Sequence, residues 1–182
     1  MRKKLRRNSG FTLIELMIAV VMVSILTAIA IPAVMKWLPN YRVKAAARDL
    51  YSNMQKAKME AIKGNRTMEI RFDNSVAPGF YYFDTDDNDN YTNGEFRIDL
   101  KNYNSGVDFG TGNATKNWNG DDCTPIPASQ IKFYSKGTAN NRSVYLENQS
   151  HDICYAITAG TAGSIKLRKY NGKTPFSTSD WN

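Results

Sequence analysis

Phe11-Thr12-Leu13-Ile14-Glu15-Leu16-Met17 begins an apolar run that continues through Ile31 with a single charged residue, Glu15. As a helix rising about 1.5 Å per residue, this run of 21 residues spans roughly 30 Å, the thickness of a bilayer's hydrocarbon core. Arg2, Lys3, Lys4, Arg6 and Arg7 stand before it with no acidic residue among them. By the positive-inside rule, this cluster keeps the N-terminus in the cytoplasm and sends the rest of the chain across. A cleaved secretory signal is the competing reading, since Ala28-Ile29-Ala30 resembles a small-x-small cleavage site. Two features oppose it: the run exceeds the usual 7–15 residues, and a glutamate lies inside it. A carboxylate at membrane depth costs roughly 2.5–3.5 kcal/mol, so Glu15 calls for a partner.

The charge of the chain follows the same division. The net +7 over 182 residues suggests an anionic partner until it is mapped. Residues 1–10 hold +5, residues 11–63 hold +4, and residues 64–182 hold −2. The last segment splits again, with −6 over residues 64–129 and +4 over residues 130–182. One histidine and two cysteines exclude a multi-cysteine zinc module.

Beyond the apolar run, Val43, Ala47, Leu50, Met54, Ala57 and Ala61 recur at helical spacing and predict one amphipathic stripe, with Gly64 and Asn65 as its stop. The stripe is expected to pack on a sheet; a coiled-coil seam is the alternative. Seven short segments then read as strands: 67–72, 80–83, 95–100, 130–135, 142–147, 152–158 and 164–170. In the first, Met68, Ile70 and Phe72 take one side and Glu69 and Arg71 the other. Residues 102–122, rich in Asn, Gly and Asp, read as a long surface loop.

Gly10-Phe11-Thr12-Leu13-Ile14-Glu15-Leu16, behind a short basic leader, resembles the processing motif of type IV pilins and pseudopilins. The stretch from Arg48 to Arg71, "PGFYYFDTDDNDNYTNGEFRI" and "IKFYSKGTANNRSVYL" resemble the H-type minor pseudopilins of type II secretion and the related FimT-like minor pilins. The resemblance implies an α+β, pilin-like fold: one long N-terminal helix packed on an antiparallel sheet head. It divides the chain into a leader (1–10), a membrane and filament-core helix (11–39), an amphipathic half (40–64) and a β-rich head (65–182). It implies cleavage by a prepilin peptidase between Gly10 and Phe11, and N-methylation of Phe11. It makes Glu15 the residue that pairs with a neighbouring subunit's N-terminal ammonium, and Pro32 the point where the helix kinks. Pro39 is a second such point, leaving the stem between them less regular.

Its implied partners are other pilin or pseudopilin subunits, the peptidase and the inner-membrane assembly platform. Its implied location is the bacterial inner membrane, single-pass with a periplasmic head, and then a filament. The alternatives are a DNA-binding minor pilin for uptake or adhesion, and a major pilin that builds long fibres. No enzymatic activity is expected, and His151 beside Asp152 reads as an ordinary turn residue.

Three further features carry chemistry. Asp84, Asp86, Asn88, Asn90 and Glu95 fall at positions 1, 3, 5, 7 and 12 of a calcium-loop scheme, with Asp89 where a glycine is usual. Calcium is thus a candidate, against an acidic hairpin turn as the plainer alternative. Cys123 and Cys154 lie on the oxidising side of the membrane under the implied topology, where a disulfide is expected and two separate thiols are the alternative. Closing that loop contributes roughly 3–4 kcal/mol in the chain-entropy model. Lys166, Arg168, Lys169 and Lys173 form a candidate nucleic-acid patch. FimT-like pilins bind DNA through a Gly-Arg-x-Arg strand, to which Gly163-Ser164-Ile165-Lys166 is the nearest match here. A solvated edge strand is the alternative.

Overall fold

The computed structural model describes residues 11–104, 106–124, 130–170 and 180–182. The leader 1–10, with Gly10 and the cleavage position, lies outside the described residues, as does Lys173. Two compact units divide between Trp37 and Leu38, and one helix, α1 (Leu13–Lys63), contributes to both.

In the first unit every described residue, 11–37, is exposed. The hydroxyls within the apolar run are satisfied locally: Ser24 donates to the Val20 carbonyl at 2.8 Å and Thr27 to that of Val23 at 2.7 Å. Such back-bonding removes an unpaired polar group from an apolar setting. Among the described residues, α1 is the one helix long and apolar enough to cross a membrane. Neither proline interrupts it. Residues 32–39 are helical throughout. A proline forfeits one helix hydrogen bond, and the bonds of the flanking turns remain.

The second unit holds the rest of α1 and eight strands. The helix buries Val43, Ala46, Ala47, Leu50, Met54, Ala57 and Ala61, the expected stripe with Ala46 added. It ends as the sequence suggests, but the left-handed residue is Asn65 (φ 47°) rather than Gly64. The Arg66 amide donates to the Ala61 carbonyl at 3.1 Å and the Asn65 amide to that of Ile62 at 3.3 Å, a Schellman closure.

The strands are β1 (Met68–Asp73), β2 (Phe80–Asp84), β3 (Arg97–Asp99), β4 (Asp108–Phe109), β5 (Gln130–Phe133), β6 (Arg142–Glu147), β7 (Cys154–Ala159) and β8 (Ile165–Lys169). They form two four-stranded antiparallel sheets rather than one, in the orders β3-β2-β1-β5 and β4-β6-β7-β8. One core joins both to the helix: Leu50 and Met54 of α1, Ile70 of β1, Ile131 and Phe133 of β5, Leu146 of β6 and Ile157 of β7 are all fully buried together. The alanines of α1 explain the close fit, since small side chains let a helix backbone approach two sheets at once.

The structure corrects the reading of residues 102–122 as a surface loop. Leu100–Tyr103 is a 3-10 turn, Asp108–Phe109 pairs with β6, and the remainder folds over the outer face of the second sheet. There Ala114, Tyr145, Cys154, Ala156, Tyr170 and Trp181 form a second, smaller core, with Trp118 and Cys123 packed against it. The Trp181 indole donates to the Lys116 carbonyl at 3.1 Å, so the chain's end helps to fasten the segment.

Candidate functional site

At the base of the stem, Thr12 and Glu15 cap α1 reciprocally. The Thr12 amide and hydroxyl both donate to Glu15 Oε2 at 2.9 Å, and the Glu15 amide donates to the Thr12 hydroxyl at 3.3 Å. This is a capping box, which satisfies two otherwise orphaned helix N–H groups. The sequence carries the signal for it, Thr followed three residues later by Glu. The carboxylate is exposed in the isolated chain and already oriented by Thr12.

The acidic loop is built around a cation that belongs to the protein. Glu69 and Arg71 point away from the main core, as alternation requires, yet both are buried. Arg71 Nε donates to Asp84 Oδ2 at 2.6 Å and Nη2 to Glu69 Oε2 at 3.0 Å; Nη2 also pairs with Asp89, and Lys132 pairs with Glu69. Burial opposes the guanidinium charge. The hydrogen bond to Asp84 and the charges of Asp89, Glu69 and Asp84 outweigh it and hold Arg71 above its ordinary pKa.

The loop from Asp84 to Glu95 thereby lies back on β1 and β2. Tyr91 packs edge-on to Phe80 and Tyr82, and Arg97 sits 3.6 Å over the Phe80 ring. A basic residue at 71, in phase with Glu69 on one side of a strand, is the sequence signal for the network.

The structure brings three of the five calcium candidates together. Carboxylate oxygens of Asp84, Asp86 and Glu95 lie within 4.8 Å of one another. Asn88 joins through its amide, which donates to Asp86 Oδ2 at 2.7 Å. Asn90 instead donates its side-chain amide to the Asn88 carbonyl at 3.0 Å. The donor set fits a divalent ion poorly. Asp84 Oδ1 accepts the Asp87 amide at 2.7 Å and Oδ2 is held by Arg71, while Glu95 spends its two oxygens on the Thr85 and Thr92 amides at 2.7 and 2.9 Å. A calcium ion would displace these N–H donors and meet the guanidinium's positive charge nearby.

Cys123 and Cys154 reach the same small core beside Tyr145 and are free thiols here. Cys154 is buried and its Sγ lies 3.6 Å from the Gly110 carbonyl. Burial pushes both thiols up, Cys154 the further.

The basic patch is divided. Lys166 and Arg168 share the outer face of β8 with the Ser143 and Thr158 hydroxyls of β6 and β7, which lie 3.0 Å apart. Lys169 falls on the opposite side, and its backbone pairs with Asn182. The Arg168 guanidinium stacks 4.2 Å over the Trp118 ring. His151 has φ 56° and lies with Nδ1 2.7 Å from Glu147 Oε1, in a turn stitched by Asn148. Buried Asn148 donates to Asn40 of α1 at 2.8 Å and accepts the Asp152 and Ile153 amides at 3.2 Å.

Comparison with known proteins follows this geometry. Residues 46–163 match the family described as Type II transport protein GspH, and residues 5–31 match the prokaryotic N-terminal methylation motif. No curated protein sequence matches the chain. Among solved structures, the minor pseudopilin EpsH from the Type 2 Secretion System of Vibrio cholerae aligns at 20% identity and a TM-score of 0.47, over 69% of this chain and 95% of that one. The first match covers the helix stripe from Ala46 onward and every strand from β1 to β7, the second the exposed stem as far as Ile31 with Glu15 at its base; the chain is a pseudopilin of the GspH family.

Proposed function

We propose that this pseudopilin is cut by a prepilin peptidase between Gly10 and Phe11, methylated on Phe11, and drawn from the inner membrane into a type II secretion pseudopilus as a minor subunit. The observation that carries this reading is the stem. Residues 11–35 are apolar apart from Glu15 and three hydroxyls and are exposed on every side, an arrangement stable only when lipid or other stems cover it. Lipid covers it before assembly, and neighbouring subunits cover it afterwards. Glu15 is the one charge in that surface, and it compensates the N-terminal ammonium of an adjacent stem. The subunit's work is mechanical, with the head presented to partners in the periplasm. That compartment is oxidising, and we extend the reading to a bond between Cys123 and Cys154, which already share one small core.

Mass spectrometry of the mature protein from its host tests the reading. N-methyl-Phe11 at the N-terminus, and recovery of other pseudopilins after in vivo crosslinking through the stem, are expected. A mature N-terminus at Ile31 would show a secretory signal instead and overturn it.

A further inference from the structure

The outer face of the second sheet is only partly covered. Residues 110–124 close it over Tyr145, Cys154 and Ala156, and leave Ser143, Thr158, Lys166 and Arg168 beside the edge of the cover. Two adjoining hollows lie along that edge, of about 260 and about 160 Å³, and both are walled by Trp118, Asn119 and Asn141. Together they reach the lower end of the range of small-ligand sites, roughly 300–1,000 Å³.

The two ends differ in chemistry. At one end are Lys166 and Arg168; at the other are Asn117, Asp121 and Asp122, with Arg142 beside them. Arg168 Nη1 is shielded from water and has no hydrogen-bond partner. A guanidinium N–H in that condition is costly, because its hydration has been lost and nothing has replaced it. Arg168 is also fixed in place by stacking on Trp118, so its planar fork is ordered before anything binds. Burial lowers its pKa as well, the mark of a cation short of counter-charge.

We propose that this groove binds a carboxylated oligosaccharide, with a uronate carboxylate on Arg168 and Lys166 and the sugar hydroxyls on Ser143, Thr158 and the asparagine amides. A carboxylate in the groove would meet Lys166 and the exposed part of the Arg168 guanidinium and supply the counter-charge that Arg168 lacks. Asparagine amides, hydroxyls and two aspartates, all of which pair with sugar hydroxyls, line the remainder, and Trp118 offers apolar surface to a ring. A nucleic-acid strand fits less well. It needs a continuous row of cations along its phosphates, whereas at the far end of this groove Asp121 and Asp122 outnumber Arg142.

The test uses the full chain in detergent micelles, titrated calorimetrically with three probes: a mannuronate trimer, mannotriose (the same sugar without carboxylates) and a 12-nucleotide single-stranded DNA. Saturable binding of the mannuronate trimer is expected, at least tenfold tighter than mannotriose or DNA. Arg168→Gln is expected to weaken it at least tenfold. Lys166→Gln, a change at an exposed residue that leaves the packing intact, is expected to weaken it severalfold, and Lys169→Gln, on the opposite side, to leave it unchanged. The Lys166 and Lys169 pair decides the question if Arg168→Gln fails to fold. No saturable binding of the trimer, equal binding of mannotriose, tighter binding of DNA, or indifference to Lys166→Gln would each overturn the proposal.

Discussion

Gly163, in the turn between β7 and β8, rests directly on the backbone carbonyl of Gly137, in the turn after β5, with no room between them for a β-carbon. Lys58 of α1 closes the same corner by donating to the Gly163 carbonyl at 2.9 Å. The contact locks the end of the second sheet to the end of the first, over the last turns of the helix. Both glycines have φ near +75° (77° at Gly137 and 72° at Gly163), where a side chain is strained regardless of space. Gly163→Ala is therefore expected to lower stability by about 2–4 kcal/mol, from strain and overpacking together. Thermal unfolding of the full chain in detergent checks this, with a fall in Tm of roughly 4–16 °C for a chain of this size.

The Arg71 network predicts both a large mutational effect and a null ionic one. Removing the guanidinium leaves Asp84 buried without its counter-charge and Glu69 with Lys132 alone, so Arg71→Met is expected to cost about 3–5 kcal/mol. Adding millimolar calcium, or chelating it, is expected to leave the Tm of the unaltered chain within error. A calcium-dependent rise of several degrees would show that the ion displaces the N–H donors now on Asp84 and Glu95.

Asp152 predicts a pH dependence. Its hydrogen bonds with Asn148 and Ser150 hold its pKa below the ordinary carboxylate value. A group depressed in the folded state contributes stability above its unfolded pKa, about 3.9, and loses it as pH falls through the lower folded value. The difference in Tm between the unaltered chain and Asp152→Asn is thus expected to be largest near neutrality. It should narrow from about pH 5 downward, which a series of melts from pH 7 to pH 2.5 would reveal.

The thiols predict an order of reactivity. When reduced, both are held protonated by burial at neutral pH, Cys154 the more strongly. Under mild alkylation Cys123 is expected to react slowly and Cys154 only after unfolding. Protein taken from the periplasm without reductant is expected to take up no label at either position, and its intact mass to rise by about 2 Da on reduction, as breaking one disulfide adds two hydrogens. Labelling of Cys123 in that sample would contradict the bond.

Much of this architecture is local in origin and was legible residue by residue. The apolar run with Glu15, the spacing from Val43 to Ala61 and the alternation around Ile70 each report a periodicity that one element imposes by itself. Seven strands follow from such alternation, from the aromatic run at 80–83 and from the Gly, Asn and Asp punctuation between short segments. The eighth, Asp108–Phe109, has two residues and no alternation to read; it exists because Leu146 and Glu147 of β6 offer it a partner. The same holds for the segment over the second sheet. Its Asn and Gly content describes its turns, while Ala114, Trp118 and Cys123 matter only where Tyr145 and Trp181 meet them.

The sequence by itself determined the membrane-spanning length of the apolar run, the helical stripe and the register of faces, because these depend on neighbours within a few residues. Tertiary structure alone decided that Arg71 occupies the acidic loop, that Gly163 and Gly137 touch, and that Arg168 Nη1 lies buried beside a groove. Those contacts join residues from 13 to 50 or more positions apart, and their energies come from burial and desolvation, which no local pattern records.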